Sequence, residues 1–223
     1  MNYLSLYQAI RQGSARESVP RWAIGALSDV AEGRRPLLAI RHPLGFICLP
    51  LVRDGADGVC VHLWTPQLEQ ARPTTSPVHA HSWDLISYVL FGEVRNEFVR
   101  VEDAAADEAG AATHRLFEVR SLDQVDEIRP TPRLVRCQRE TAGRSTAGDV
   151  YSVSAGTFHA TVTQPAEDAA TVALGRHKPG TIDRSLGAPG TGTHRVVREF
   201  CDRDETAHAA RIIAARLSAI CSA

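Results

Sequence analysis

The 223-residue sequence predicts a mainly β fold with helices only at its two ends. The middle of the chain has many short apolar runs separated by glycine and proline, a pattern typical of β-sandwiches and barrels. Both ends instead place apolar residues at three- and four-residue steps, which indicates helices. We expect an N-terminal helical segment at residues 1–36, a β-barrel at 37–175, and a C-terminal loop and helix at 176–223.

The helical stretches come first and last. LSLYQAI and RWAIGALSDVAEG open the chain, and Glu32 and Gly33 close the second stretch. DETAHAARIIAARLSAI near the C-terminus carries a broad apolar stripe, formed by Ala209, Ile212, Ile213, Ala215, Leu217 and Ile220. Such a stripe either packs on the outer face of the barrel or makes a contact in a homodimer.

The strand-like runs fill the region between the helices. LLAI, GFICLPLV and GVCVHLW are followed by a proline-rich loop at residues 65–77. LISYVLFGEVRNEFVRVE predicts two strands hinged at Gly92, and the acidic stretch at 102–113 predicts a solvated loop. Strands resume with HRLFEVRS, PRLVRCQRE, DVYSVSA, FHATVT and AATVALG, and residues 179–192 predict a loop rich in glycine and proline.

Composition narrows the possible partners and location. The net charge of −1, without a basic stripe, argues against a nucleic-acid partner. The N-terminus lacks a signal-peptide pattern, and no apolar run approaches the roughly 20 residues that span a bilayer. The five cysteines are scattered and lack CxxC spacing. We therefore expect a reduced cytoplasmic protein with free thiols that acts on a small molecule, with no membrane partner.

The sequence VHAHSWDLISYVLFG contains the main candidate site. Side chains two residues apart share one face of a strand, so His79 and His81 are expected to point the same way. Two imidazoles at this spacing can bind one metal ion if another strand supplies a third ligand. His159, which follows the turn Ala155-Gly156-Thr157 and begins another apolar strand, is the candidate for that ligand.

These two stretches resemble the paired motifs of the cupin superfamily. The residues that fall in register are His79, His81 and Gly92 in the first motif, and Gly148, Gly156 and His159 in the second. The resemblance implies a small barrel of the double-stranded β-helix type and a divalent transition metal, and it makes a homodimer a fair expectation.

The position of the usual cupin glutamate holds Leu85 or Ile86, which cannot bind a metal. Asp84 lies one place earlier, where a β-bulge would turn it inward as a fourth ligand; otherwise it bonds to backbone or to an arginine. The chain thus resembles the three-histidine cupins, which include thiol dioxygenases. ATVALGRH lacks the Ser-x-His-x-Tyr stretch of those enzymes, which argues against cysteine dioxygenase itself.

The resemblance implies an Fe(II)-dependent oxygenase, of dioxygenase type, acting on a small polar metabolite. Two alternatives stay open at this point. In one, the ion catalyses a non-redox isomerase, lyase or hydrolase reaction by polarising a carbonyl or activating water. In the other, the barrel is a ligand-binding module without chemistry.

Further candidates come from the neighbouring strands. Arg95 and Glu97 share a face and either grip a substrate carboxylate or form an ion pair on the outer surface. Tyr88 and Tyr151 either offer a phenol to the substrate or pack as aromatics. His62 is a candidate acid–base group if it points into the barrel.

Overall fold

The computed structural model of the protein describes residues 1–104 and 113–222, so that most of the predicted acidic loop, residues 105–112, lies outside the described residues. Within this part, the fold consists of two seven-stranded antiparallel sheets and three helices. The prediction of a mainly β protein with helices at its ends is confirmed.

The strands, numbered along the chain, are distributed equally between the two sheets. From one edge to the other, the first sheet contains β14 (Glu199–Phe200), β1 (Ile40–His42), β2 (Phe46–Asp54), β3 (Asp57–Trp64), β11 (Ala169–His177), β5 (Trp83–Phe91) and β9 (Val150–Val153). The second contains β13 (His194–Val197), β8 (Val125–Thr146), β6 (Glu93–Asp103), β10 (His159–Thr163), β4 (His79–Ala80), β12 (Asp183–Gly187) and β7 (His114–Leu122). The long strand β8 also pairs with β7.

The helices are α1 (Tyr3–Arg11), α2 (Ala15–Ala31) and α3 (Arg203–Cys221). The sequence pattern starts the second helix after Pro20, but the structure starts it at Ala15. Proline inside a helix removes one backbone hydrogen bond. Here Val19 and Pro20 are themselves buried against the core, and this burial offsets the loss.

The three helices cover one face of the first sheet. Alternate residues of β2, β3, β5 and β11 point toward the helices and form one apolar cluster with them. Leu6, Val19, Leu27 and Ile213 are among the fully buried helical members of this cluster. The helical layer thus packs on one face of the first sheet, and the other face of this sheet points toward the second sheet.

Gly92 joins β5 of the first sheet to β6 of the second, as the predicted hinge requires. Its φ of +74° lies in the left-handed region that glycine tolerates best. A Cβ atom here would lie 2.5 Å from the Asp168 carbonyl oxygen and 2.7 Å from the Ala169 Cα atom. The chain can pass between the sheets at this point because the residue has no side chain.

Three strands follow residue 175, where the sequence pattern placed the end of the barrel. β12 lies within the predicted loop at 179–192 and pairs with both β4 and β7. β13 and β14 each extend an edge of a sheet. The β-rich region therefore continues almost to α3.

Helices long and apolar enough to cross a lipid bilayer are absent from the described part of the chain.

Replacing the hinge glycine is expected to destabilise the fold. Gly92→Ala should lower the free energy of unfolding by about 3 kcal/mol or more, because left-handed strain adds to the overlap with Asp168 and Ala169. Urea unfolding followed by circular dichroism measures the loss.

Gly55→Ala is the matched control for this substitution. Gly55 has a φ of +61° in the β2–β3 turn, and a Cβ atom there would have no neighbour within 4 Å. The control should lose about 1–2 kcal/mol from strain alone. Equal losses in the two variants would contradict the role assigned to close packing at Gly92.

Candidate metal centre

The imidazoles of His79, His81 and His159 converge in the space between the two sheets. One ring nitrogen from each lies within 4.8 Å of one ring nitrogen of the other two. The antiparallel pairing of β4 with β10 places His159 directly across from His79. His81 follows immediately after β4, and its Nε2 atom lies 3.1 Å from Nε2 of His79. The structure therefore brings together the three histidines that the sequence selected.

The hydrogen bonds of two of these histidines settle which ring nitrogen is free. Nδ1 of His79 lies 2.9 Å from the carbonyl oxygen of Pro77, and Nδ1 of His159 lies 3.1 Å from that of Thr157. A carbonyl oxygen only accepts, so both Nδ1 atoms carry the proton and donate it. Both Nε2 atoms then carry lone pairs, as in metal sites whose histidines are oriented by backbone carbonyls, and that of His79 accepts the Nε2–H of His81.

The turn before His159 is tied to the first motif by two hydrogen bonds. The backbone N–H of Gly156 donates to the carbonyl of His81 at 2.8 Å. The N–H of Ala155 donates to the Asp84 carboxylate at 2.7 Å. These bonds hold the loop that delivers His159 against the segment that carries His81.

This arrangement decides the role of Asp84. In the part of the chain that the structure describes, the metal-compatible group contains the three histidines without this aspartate. The carboxylate instead accepts a hydrogen bond from the Ala155 N–H, which is the alternative in which Asp84 bonds to the backbone. Asp84 supports the second motif and is not placed as a fourth ligand.

Burial keeps the three imidazoles neutral. Desolvation in the cavity, with the neighbouring His159, lowers the pKa of His79 to about 3. Desolvation is the largest effect that lowers the pKa of His81 well below its usual value, and the neighbouring His79 and His159 add to it. Desolvation also lowers the pKa of His159. Neutral imidazoles are the form that binds metal ions.

The cluster opens into a cavity of about 390 Å³ that is lined by both sheets. The indole of Trp83 stacks on His81, with ring centres 4.0 Å apart, and Gly175 leaves room for the indole. Tyr151 also lines the cavity. Burial raises the pKa of its phenol, although hydrogen bonds with Ser87, Asn96 and Thr171 act in the opposite direction. The phenol therefore stays protonated and can donate a hydrogen bond.

A second group of potential ligands lines the same cavity on the facing sheet. It consists of Cys48 on β2 and of Cys60 and His62 on β3, whose ligand atoms lie within 4.8 Å of one another. His62 thus points inward, which is the condition set for its selection as a candidate acid–base group. The sequence pattern indicated only free thiols and did not reveal this group.

The thiols of this second group interact directly. A hydrogen bond from Cys48 is the main influence that lowers the pKa of Cys60 well below its usual value. The same bond, together with burial, raises the pKa of Cys48. Cys60 is therefore the thiol that ionises first.

His42 is a further cavity residue, for which the sequence pattern indicated no role. Its ring stacks on Phe46 at 4.3 Å, and its Nδ1 atom accepts the Leu44 N–H at 3.2 Å. Its pKa is lowered to about 3, mainly by desolvation and to a smaller extent by the nearby His62 and His79. Its position could not be read from an Arg-His-Pro stretch between strands.

Tyr88 does not reach the cavity, which corrects its selection as a catalytic candidate. It follows Ser87 by one residue on β5, so it faces the helices, where it is 3% exposed within the helix–sheet cluster. Burial raises the pKa of Tyr88 on this side of the sheet. Tyr88 therefore packs in the apolar cluster, which is the alternative given for this residue.

Arg95 and Glu97 are also placed outside the cavity. Nη2 of Arg95 lies 3.1 Å from Oε1 of Glu97, and half of the Arg95 side chain is exposed. Arg139 of β8 also contacts Glu97, at 3.2 Å. The pair therefore forms part of an ion-pair network on the outer surface of the second sheet, and its selection as a carboxylate clamp is corrected.

Comparisons with known proteins add little to this geometry. No family model matches the chain, and no curated protein matches it. Among solved structures, the chain is similar to the polyketide cyclase RemF from Streptomyces resistomycificus, with a TM-score of 0.36 and 15% sequence identity. The similarity covers 70% of this chain and 82% of that chain, and at this level we draw no conclusion from it.

The buried His42 predicts how stability depends on pH. An unfolded chain protonates this residue below a pH of about 6.5, whereas the folded protein does so only near its pKa of about 3. The free energy of unfolding should therefore fall as the pH is lowered between these values, with His42 contributing up to about 1.4 kcal/mol per pH unit.

Urea unfolding of the metal-free protein at several pH values between 4 and 7 measures this slope. His42→Gln should reduce it by up to about 1.4 kcal/mol per pH unit and leave the contributions of the buried His79, His81 and His159, while His177→Gln, at an exposed position, should leave it unchanged. A slope that is the same in His42→Gln and in the wild type would contradict the assignment.

Proposed function

We propose that this protein is a metal-dependent oxygenase of the cupin type, in which His79, His81 and His159 hold Fe(II). The observation that supports this most directly is the convergence of one ring nitrogen from each of three imidazoles, two of which are oriented by backbone carbonyls. A proton between Nε2 of His81 and Nε2 of His79 can join only these two rings. A metal ion can accept a lone pair from all three rings and is therefore the occupant that suits the whole cluster.

The spacing of the ligands fits a single ion. Imidazole nitrogens bind transition metals at about 2.0–2.1 Å, which places adjacent ligand atoms about 2.8–3.4 Å apart for angles between octahedral and tetrahedral. The 3.1 Å between Nε2 of His79 and Nε2 of His81 falls within this range. Small ring movements within the 4.8 Å limit would complete the set with His159.

The choice of iron depends on the resemblance to three-histidine cupins, since imidazole alone accepts several divalent metals. An iron ion held there would supply the redox chemistry for oxygenation by dioxygen. The three imidazoles would orient the ion without compensating its charge, because they are neutral. Trp83 would limit water at His81, and Tyr151 would offer a phenolic proton as a hydrogen-bond donor.

The cavity favours a small, anionic or chelating substrate. Ser185 lies directly across from His79, and its buried Oγ atom has no hydrogen-bond partner. Buried polar atoms without partners are costly, so a ligand that bonds to them gains affinity. An anion would also compensate the charge of an ion bound by three neutral ligands.

We further propose that the two sheets form a double-stranded β-helix barrel of the cupin type. Support comes from the placement of the two motifs on the paired strands β4 and β10, facing across the cavity toward the first sheet. A cytoplasmic location and a homodimer also remain proposals. The location is supported by cysteines that are all free in the described residues, and the dimer by the resemblance.

Metal content is the first test of this proposal. Protein purified without oxygen and reconstituted with Fe(II) should hold near-stoichiometric iron at the three-histidine site, measured by mass spectrometry. His159→Ala should lose this iron, because two imidazoles at adjacent positions bind it too weakly to survive desalting. Oxygen uptake with small organic anions should depend on the same site.

His177→Ala is the matched control, since His177 is exposed at the end of β11 and away from the cluster. It should bind iron as the wild type does. Wild-type protein that binds no transition metal after reconstitution would rule out the metal site and leave a ligand-binding module. Stoichiometric zinc or nickel without oxygen uptake would instead favour the non-redox alternative.

Asp84 provides a separate test of the ligand set. Asp84→Asn should retain iron, because the amide oxygen can still accept the Ala155 N–H. Asp84→Ala should lower the free energy of unfolding by about 1–3 kcal/mol, since it leaves that N–H without a partner. Loss of iron in Asp84→Asn, with unchanged thermal stability, would show that the carboxylate is a ligand after all.

A further inference from the structure

The cavity contains a second ligand cluster that the proposed oxygenase chemistry does not use. Cys48, Cys60 and His62 lie on the inward face of β2 and β3, in the sheet opposite the three histidines. We propose that they form a second metal site, selective for a soft divalent ion such as Zn²⁺. This site is independent of whether the three histidines bind iron.

The strand register brings these three side chains together. Cys48 pairs directly with His62, and Cys60 lies two residues away from His62 on the same face of β3. Direct and diagonal cross-strand neighbours on one face are within reach of each other. The cluster thus results from the pairing of two adjacent strands and needs no movement of the backbone.

The same register disfavours a disulfide as the role of the two cysteines. Cys48 and Cys60 are diagonal partners, since Pro50 is the residue directly across from Cys60. Diagonal partners have Cα atoms about 7–8 Å apart. A disulfide needs about 4.4–6.8 Å. A metal ion between the sulfurs bridges the longer separation and also uses His62, which a disulfide leaves aside.

The ligand set selects the ion. Two thiolates and an imidazole suit Zn²⁺, which binds sulfur at about 2.3 Å and nitrogen at about 2.0 Å. Adjacent ligand atoms in such a site lie about 3.5–3.8 Å apart, which small rotamer shifts can reach from a cluster within 4.8 Å. The nitrogen-only cluster opposite has no thiolate, so only the cysteine–histidine site would favour ions that bind sulfur strongly.

The surroundings of the cluster support ligand binding. Phe46 packs against His62 with ring centres 4.4 Å apart, and Trp64 meets the same imidazole edge-on at 6.0 Å. These aromatic rings restrict the imidazole and exclude water. Arg53 lines the same part of the cavity, where its positive charge favours ionised thiols.

Three protein ligands leave the fourth tetrahedral position of the ion open toward the cavity. Open positions of this kind are typical of catalytic zinc sites, whereas structural zinc sites have four protein ligands. An ion bound here would therefore contact the same small molecule that the three-histidine site faces, from the opposite wall. The cavity would then recognise a substrate with two donor groups, one for each metal.

Cobalt absorption spectroscopy distinguishes the two sites. Co²⁺ replaces Zn²⁺ and gives a near-ultraviolet charge-transfer band only when thiolates are ligands. Reduced, metal-free protein titrated with Co²⁺ without oxygen should develop this band, and Zn²⁺ should abolish it. Cys48→Ser and Cys60→Ser should each reduce the band at least fivefold. His159→Ala should retain it.

Cys221→Ser is the matched control, because this thiol is exposed at the end of α3 and lies away from the cavity. It should keep the full band. Circular dichroism of each variant would establish that it is folded, and Cys60→Ala serves as a second variant if Cys60→Ser is not. Iron content of Cys60→Ser should match the wild type.

Two results would overturn the proposal. One is the absence of a thiolate band in fully reduced, folded wild-type protein. The other is a thiol titration of the oxidant-free denatured protein that shows Cys48 and Cys60 joined in a disulfide. Loss of iron in His159→Ala with the thiolate band retained would support both proposed sites separately.

Discussion

The pairing of His79 with His159 across β4 and β10 is the constraint on which the candidate site depends. It places two imidazoles whose Nδ1 protons are already bound to backbone carbonyls opposite each other. Nε2 of His79 then faces Nε2 of His81 at 3.1 Å, inside the cavity between the two sheets. The backbone thus determines the tautomer and direction of these two imidazoles, which would lower the entropic cost of binding the proposed ion.

The helical layer makes the opposite wall of the cavity rigid. α1 packs on the outer face of β2 and β3, and α2 and α3 pack on that of β5, so the strands of this sheet are buried on one side and line the cavity on the other. Each of them therefore alternates between apolar residues toward the helices and a mixed set toward the cavity. Cys48, Cys60 and His62 belong to the second set.

Much of the candidate site could be predicted from local sequence patterns. The alternation of side chains in a strand and the turn before His159 were sufficient to select the three histidines, and Gly92 marked the passage between sheets. The same alternation also contains the information that corrects Tyr88, because Ser87 and Val89 face inward on either side of it. Period-two patterns identify opposite faces but not which of them lines a cavity.

The features that escaped prediction depend on contacts between distant strands. The cysteine–histidine cluster requires the register of β2 against β3, which no residue in either strand specifies alone. β12 was missed because its five residues lie between glycine and proline signals, although pairing with β4 and β7 stabilises it as a strand. Asp84 was ambiguous because its role depends on a backbone N–H 71 residues away.

The two walls of the cavity differ in what lies behind them. The first sheet has an apolar helical layer at its back, whereas the outer face of the second carries hydrated ion pairs such as Arg95 with Glu97 and Arg144 with Glu93. Surface ion pairs exchange freely with water and resist deformation little. Breathing motions that admit solutes should therefore originate in the second sheet, and its amide protons should exchange with solvent sooner than those of the helix-backed strands.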